Sequence, residues 1–129
     1  NVAVATPDGY KPDGAVLEFT KGYGDKFALE TDPFMAASGA DILITDTWTS
    51  MGEEAEKEER KKIFKDYQIN KQLLTAANAG AMVQHCLPAY RGQEITEEVF
   101  EEHADEIFNE AENRLHAQKA VMVKLMKKD

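Results

Sequence analysis

A chain of 129 residues is one domain or part of one, with enough length to bury its own core. With 43% hydrophobic and 30% charged residues, it is too rich in large apolar side chains for a disordered segment. A net charge of −9 argues against a nucleic-acid binder, and a single cysteine excludes an intrachain disulfide and a thiolate zinc cage, which fits a reducing cytosol.

No apolar run approaches membrane-spanning length, and no signal peptide is visible. The first residue is Asn1 rather than Met and leads straight into a strand, which suggests a fragment or a processed product. Asn1–Ala5 is short and β-branched, and the turn signals Pro7, Asp8-Gly9 and Pro12 end it. Residues 13–21 are compatible with a helix weakened by Gly14, Gly22 and Gly24. Lys26–Glu30 alternates like a strand. Thr31-Asp32-Pro33 then offers an N-cap and a first-turn proline for a helix from Pro33 to Ser38, closed by Gly39. Asp41–Thr45 is the clearest buried strand. The rhythm is β-α-β-α-β, which predicts an α/β fold with a parallel sheet.

A helix is predicted from Glu53 to about Lys65, acidic early and basic late, with Glu53–Lys57 and Glu58–Lys62 spaced as surface pairs. Tyr67–Ala77 reads as a second helix. Ala81–Val83 is a brief strand that runs on into His85-Cys86-Leu87-Pro88, where Pro88 forces a turn. Thr96 caps a small helix, and the last helix runs from about Asn109 to Lys127 with Ala111, Leu115, Met122 and Met126 at helical spacing.

Three places carry chemistry-bearing residues. Cys86, with His85 beside it, falls at the carboxyl end of a strand, where parallel α/β sheets hold ligands; taken alone it is more simply a small buried hydrophobe. Asp46 and Ser50 occupy the loop after Asp41–Thr45. Ser50 with Glu53 fits a capping box, and Asp46 fits a turn residue. The same loop also offers free helix N–H groups beside a carboxylate, which match the two ends of an amino acid. Arg114 lies four residues after Glu110, as a surface pair would, or its planar fork reaches a phosphate or carbonyl oxygen.

Asp46-x-Trp48-x-Ser50-Met51-Gly52, His85-Cys86-Leu87-Pro88 and Ala111-Glu112-Asn113-Arg114, in that order, resemble ornithine carbamoyltransferase. Tyr67-Gln68-Ile69-Asn70 and Lys119-Ala120-Val121-Met122 extend the resemblance over nearly the whole chain. It implies that residues 1–129 are most of the ornithine-binding domain, with a Rossmann-like parallel sheet and helices on both faces. It further implies that the first strand of that domain and the carbamoyl-phosphate-binding domain, with its Ser-x-Arg-Thr-Arg loop, lie outside this sequence. The segment Lys21–Phe27 is shorter and richer in glycine than the resemblance implies.

The implied reaction transfers the carbamoyl group of carbamoyl phosphate to the side-chain amine of L-ornithine, giving L-citrulline and phosphate, in cytoplasmic arginine biosynthesis. The implied ornithine contacts are Asp46, Ser50, Met51 and Cys86, and the implied carbamoyl-phosphate contacts are Cys86, Leu87 and Arg114. Cys86, Asp46 and Arg114 are the implied catalytic residues. No metal or organic cofactor is expected, and a homotrimer is the implied assembly. This chain alone is expected to be inactive. The alternatives are a non-catalytic amino-acid-binding or structural module of the same fold, or a carbamoyltransferase for putrescine or an acylated ornithine. If the first strand is missing, Asn1–Ala5 and Asp41–Thr45 each face an empty place. A strand-exchanged oligomer or an aggregate, with a poorly formed ornithine site, is the expected result.

Overall fold

The computed structural model describes residues 1–49 and 54–127. Four short strands, β1 (Val2–Ala5), β2 (Phe27–Glu30), β3 (Ile42–Thr45) and β4 (Met82–His85), alternate with helices. The helices are α1 (Gly14–Thr20), α2 (Pro33–Ala37), α3 (Lys57–Ile63), α4 (Lys71–Leu74), α5 (Glu97–Glu102) and α6 (Ala104–Met126). Side-chain caps set several helix starts by accepting orphan N–H groups. Asp13 accepts from Ala15 N, Asp32 from Phe34 N ahead of Pro33, Asn70 from Leu73 N, and Thr96 from Val99 N. Gly39 takes a positive φ of 66°, and its N–H donates to Ala76 O at 2.9 Å, tying the end of α2 to the end of α4.

The strands form two separate parallel pairs, β1 with β2 and β3 with β4. Val2 to Ala5 stand opposite Phe27 to Glu30, and Ile42 to Thr45 opposite Met82 to His85. No backbone hydrogen bond joins β1 to β3 among the described residues. The α/β class and the missing central pairing therefore match the expectation.

The core gathers on one face of β3–β4. Leu43 and Val83 project into it, met by Ile69, Leu73, Ile95, Val99, Phe100 and Ile107. Three predicted helices need correction. Tyr67–Ala77 yields only α4, because Lys65–Tyr67 is a 3₁₀ turn and Ile69 forms a parallel bridge with Ile95. Among the described residues of the predicted helix 53–65, regular α-helix is limited to α3, where Glu58 pairs with Lys61 at 2.9 Å rather than with Lys62; Glu53, and with it the expected Glu53–Lys57 pair, lies outside the described residues. The final helix starts at Ala104, five residues early, and its expected apolar stripe is not covered by this chain. Leu115, Met122 and Met126 are exposed, and the buried contact is Ile107. Short-range periodicity marks which residues share a helix face, whereas cover for that face is a tertiary matter.

Candidate functional site

The pairing of β3 with β4 builds the site. Thr45 and His85 are register partners and the last residues of their strands, so Asp46 and Cys86 emerge side by side. A carboxylate oxygen of Asp46, a ring nitrogen of His85 and Cys86 Sγ lie within 4.8 Å of one another.

His85 is fully buried and both ring nitrogens are engaged. Its Nδ1 lies 2.9 Å from Leu87 N, and its Nε2 3.1 Å from Glu94 Oε1. A backbone N–H can only donate, so Nδ1 is the acceptor and Nε2 carries the proton that Glu94 receives. Glu94 Oε1 also accepts from Tyr90 N at 2.6 Å. These bonds clamp the turn after β4 from both ends. Leu87 within it takes a φ of 57°, uncommon for a branched residue, and the Leu87–Pro88 peptide is cis. Asp46, His85 and Cys86 offer three metal-type donors, but neither His85 nitrogen has a free lone pair in this arrangement.

Burial pushes the Cys86 thiol above its ordinary range. A hydrogen bond to Asp46, the Asp46 charge and the more distant Glu110 charge push the same way. Cys86 is thus held as a thiol that donates to Asp46, not as a free thiolate nucleophile. This suits contact with a bound group better than covalent attack.

An aromatic cluster fixes the loop after Asp46. Trp48 stacks on Phe64 with ring centroids 6.1 Å apart, and Arg60 Nη1 donates to Trp48 O at 3.3 Å. Phe64 also meets the edges of Tyr10 and Tyr67, at 4.9 and 5.9 Å.

Of the sequence-predicted residues, the structure brings Asp46 and Cys86 together, with Leu87 next in the chain. Ser50 and Met51 lie outside the described residues. Arg114 sits exposed on α6, where no hydrogen bond or ion pair engages it among the described residues, so the surface pair with Glu110 is not formed. Sequence reasoning missed Glu94 and Glu110. Each has a buried Oε2 with no partner among the described residues, and Glu94 as a whole is inaccessible. Nothing local marked Glu94, a lone acid in the loop between β4 and α5 whose partners, His85 and Tyr90 N, are set by the fold of that loop.

Residues 1–125 match the family model for the aspartate/ornithine carbamoyltransferase Asp/Orn-binding domain. The chain belongs to that family. It is 54% identical over 129 residues to an ornithine carbamoyltransferase of a Nitratiruptor species, covering 97% of this chain and 42% of that protein. Among solved structures, the anabolic ornithine carbamoyltransferase of Campylobacter jejuni superposes with a TM-score of 0.90 at 44% identity. That match covers 96% of this chain and 42% of the other. The ornithine carbamoyltransferase of Pyrococcus furiosus gives 0.82 at 46% identity, covering 95% and 41%. The chain thus spans about two fifths of the length of the carbamoyltransferases it matches. No described helix is long and apolar enough to cross a membrane.

Proposed function

We propose that residues 1–129 form most of the ornithine-binding domain of an ornithine carbamoyltransferase. Such an enzyme transfers the carbamoyl group of carbamoyl phosphate to the side-chain amine of L-ornithine, giving L-citrulline and phosphate, in arginine biosynthesis in the cytoplasm. The observation that carries this reading is the juxtaposition of Asp46 with Cys86 at the carboxyl ends of paired parallel strands, in a chain of this family.

Asp46 is exposed; by family resemblance it holds the α-amino group of ornithine together with Ser50, and the Met51 N–H serves the α-carboxylate. The protonated Cys86 thiol packs against the reacting amine. Cys86 and Leu87 touch the carbamoyl group, which the clamped turn presents at a fixed angle. The exposed Arg114 reaches carbamoyl phosphate only once the partner domain brings that substrate in, and there it stabilises charge developing on oxygen. A free amine of this type titrates near about 10.4, so the site must favour its neutral, nucleophilic form. No cofactor enters this chemistry. The family resemblance supports a homotrimer.

The chain alone, lacking most of the carbamoyl-phosphate contacts, yields no citrulline above background, because transfer needs both reactants positioned together. In the protein that also carries the carbamoyl-phosphate-binding domain, Asp46→Asn raises the ornithine KM and leaves that of carbamoyl phosphate nearly unchanged. Cys86→Ser lowers kcat with the fold intact. Steady-state kinetics with each substrate varied separately decides the matter, and an unchanged ornithine KM and kcat in Asp46→Asn sinks the assignment.

A further inference from the structure

α6 climbs along β4 in the direction of the strand. Glu106 accepts from Val83 N at 2.8 Å, within β4, and the charge of Glu110, one turn later, acts on the Cys86 thiol just past the strand end. Arg114 is one further turn on, about 6 Å along the helix axis, and so stands beyond the carboxyl end of β4. Ile107, Glu110 and Arg114 fall at i, i+3 and i+7, on one face of the helix. Ile107, at the start of that face, is fully buried in the core. The face is therefore turned toward the sheet edge where Asp46 and Cys86 emerge.

Glu110 is the anomaly on this face. Its Oε2 is buried and has no hydrogen-bond partner among the described residues. A carboxylate oxygen in that position has lost its water and gained no donor in return. The donors around it are already committed, since Val83 N and His103 engage Glu106, and the Cys86 thiol is hydrogen-bonded to Asp46. Arg114 is its complement, an exposed guanidinium that no hydrogen bond or ion pair engages among the described residues. An acid four residues ahead of a base is the favoured order for a helical pair.

We propose that Glu110 is the positioning residue for Arg114. When carbamoyl phosphate enters the site, one edge of the Arg114 guanidinium turns onto the buried Glu110 carboxylate, and the other edge faces the substrate oxygen. The planar fork has N–H donors enough to serve both at once. Glu110 thereby fixes the angle at which Arg114 meets the charge that develops during transfer. The role assigned to Glu110 rests on Arg114 serving carbamoyl phosphate, as proposed above.

The test uses the protein that also carries the carbamoyl-phosphate-binding domain. Glu110→Gln, which keeps the shape and removes the charge, lowers kcat/KM for carbamoyl phosphate by about ten- to a hundredfold, the scale of a misplaced reacting group. The ornithine KM stays nearly unchanged. In the Arg114→Ala background the same change has no further effect, because Glu110 has nothing left to act through. Glu110→Asp, shorter by one methylene but still charged, loses less. In the 129-residue chain alone, Glu110→Gln leaves the urea midpoint no lower than wild type, whereas a merely structural role would lower it. Should Glu110→Gln fail to fold, Glu110→Asp takes its place in the same cycle, with a smaller loss that Arg114→Ala likewise abolishes. An unchanged kcat/KM for carbamoyl phosphate, or an equal loss with and without Arg114, overturns the proposal and leaves the carbamoyltransferase reading standing. A wild-type protein that forms no citrulline defeats that reading itself.

Discussion

The β1–β2 and β3–β4 pairs are built alike, with four residues per strand and parallel pairing in register, yet their burial differs sharply. In β3–β4, Leu43, Val83 and His85 are buried; in β1–β2 no strand residue is. The difference lies in what covers them. β4 has α6 packed against it, with α5 and the Ile95 segment adding to the same core, whereas among the described residues β1 and β2 meet chiefly the short α2 and, for β2, the adjoining 3₁₀ turn Lys21–Lys26. Composition leans the same way, since VAVA and FALE carry three Ala and one Glu where ILIT and MVQH carry four β-branched residues. The cover over β4 comes from residues far along the chain.

The largest test of this contrast is a pair of truncations. Ile107→Ala, at a site with no exposed surface, is expected to cost about 2–5 kcal/mol in urea unfolding followed by circular dichroism. Val2→Ala, with its side chain largely in solvent, stays within about 0.5 kcal/mol. Equal losses would break the comparison.

A second pair asks the same of buried polar groups. Glu94→Ala orphans the His85 Nε2–H and the Tyr90 N–H, and is expected to cost about 1–3 kcal/mol in the same experiment. Thr6→Val in the β1–β2 half removes bonds to Tyr10 O at 2.7 Å and Pro7 O at 3.0 Å, for about 0.5–1.5 kcal/mol. A costlier Thr6 change would place the polar anchor in the wrong half.

Acid sharpens the comparison further, because the edge of β4 is closed by a carboxylate. Burial raises the Glu106 pKa, but the Val83 N–H, together with the hydrogen bond and charge of His103 (Nδ1 at 3.0 Å), outweighs it and leaves a value below the ordinary 4.5. A depressed folded-state value means that the stabilisation is fully present above pH 4.5 and is lost as pH falls through the folded-state value. Wild type should therefore lose its advantage over Glu106→Gln only in that acidic window. A difference that persisted unchanged well below it would show that the charge is not what closes the edge.

The smallest effect belongs to the surface of the well-covered half. Arg91 pairs with Glu101 at 2.7 Å and lies 4.1 Å from the Phe100 ring centre, but both charged side chains are well exposed. Glu101→Gln is expected to cost about 0.2–1 kcal/mol, and to cost less as salt is added. A loss as large as that of Glu94→Ala would mean that burial does not rank these contacts.

The sequence by itself determined the strand positions to within a residue or two, the caps at Asp32 and Thr96, and the placing of Asp46 and Cys86 just beyond strand ends. Each of these follows from short-range rules: a side-chain oxygen just ahead of a helix, or a strand stopped by Pro88. Tertiary structure decided what periodicity leaves open. It buried Ile107 and left Leu115, Met122 and Met126 exposed on one continuous helix, because only its first turns meet β4. It also chose Glu94 as the partner of His85. Partners distant in sequence are selected by burial and geometry, which no local pattern encodes.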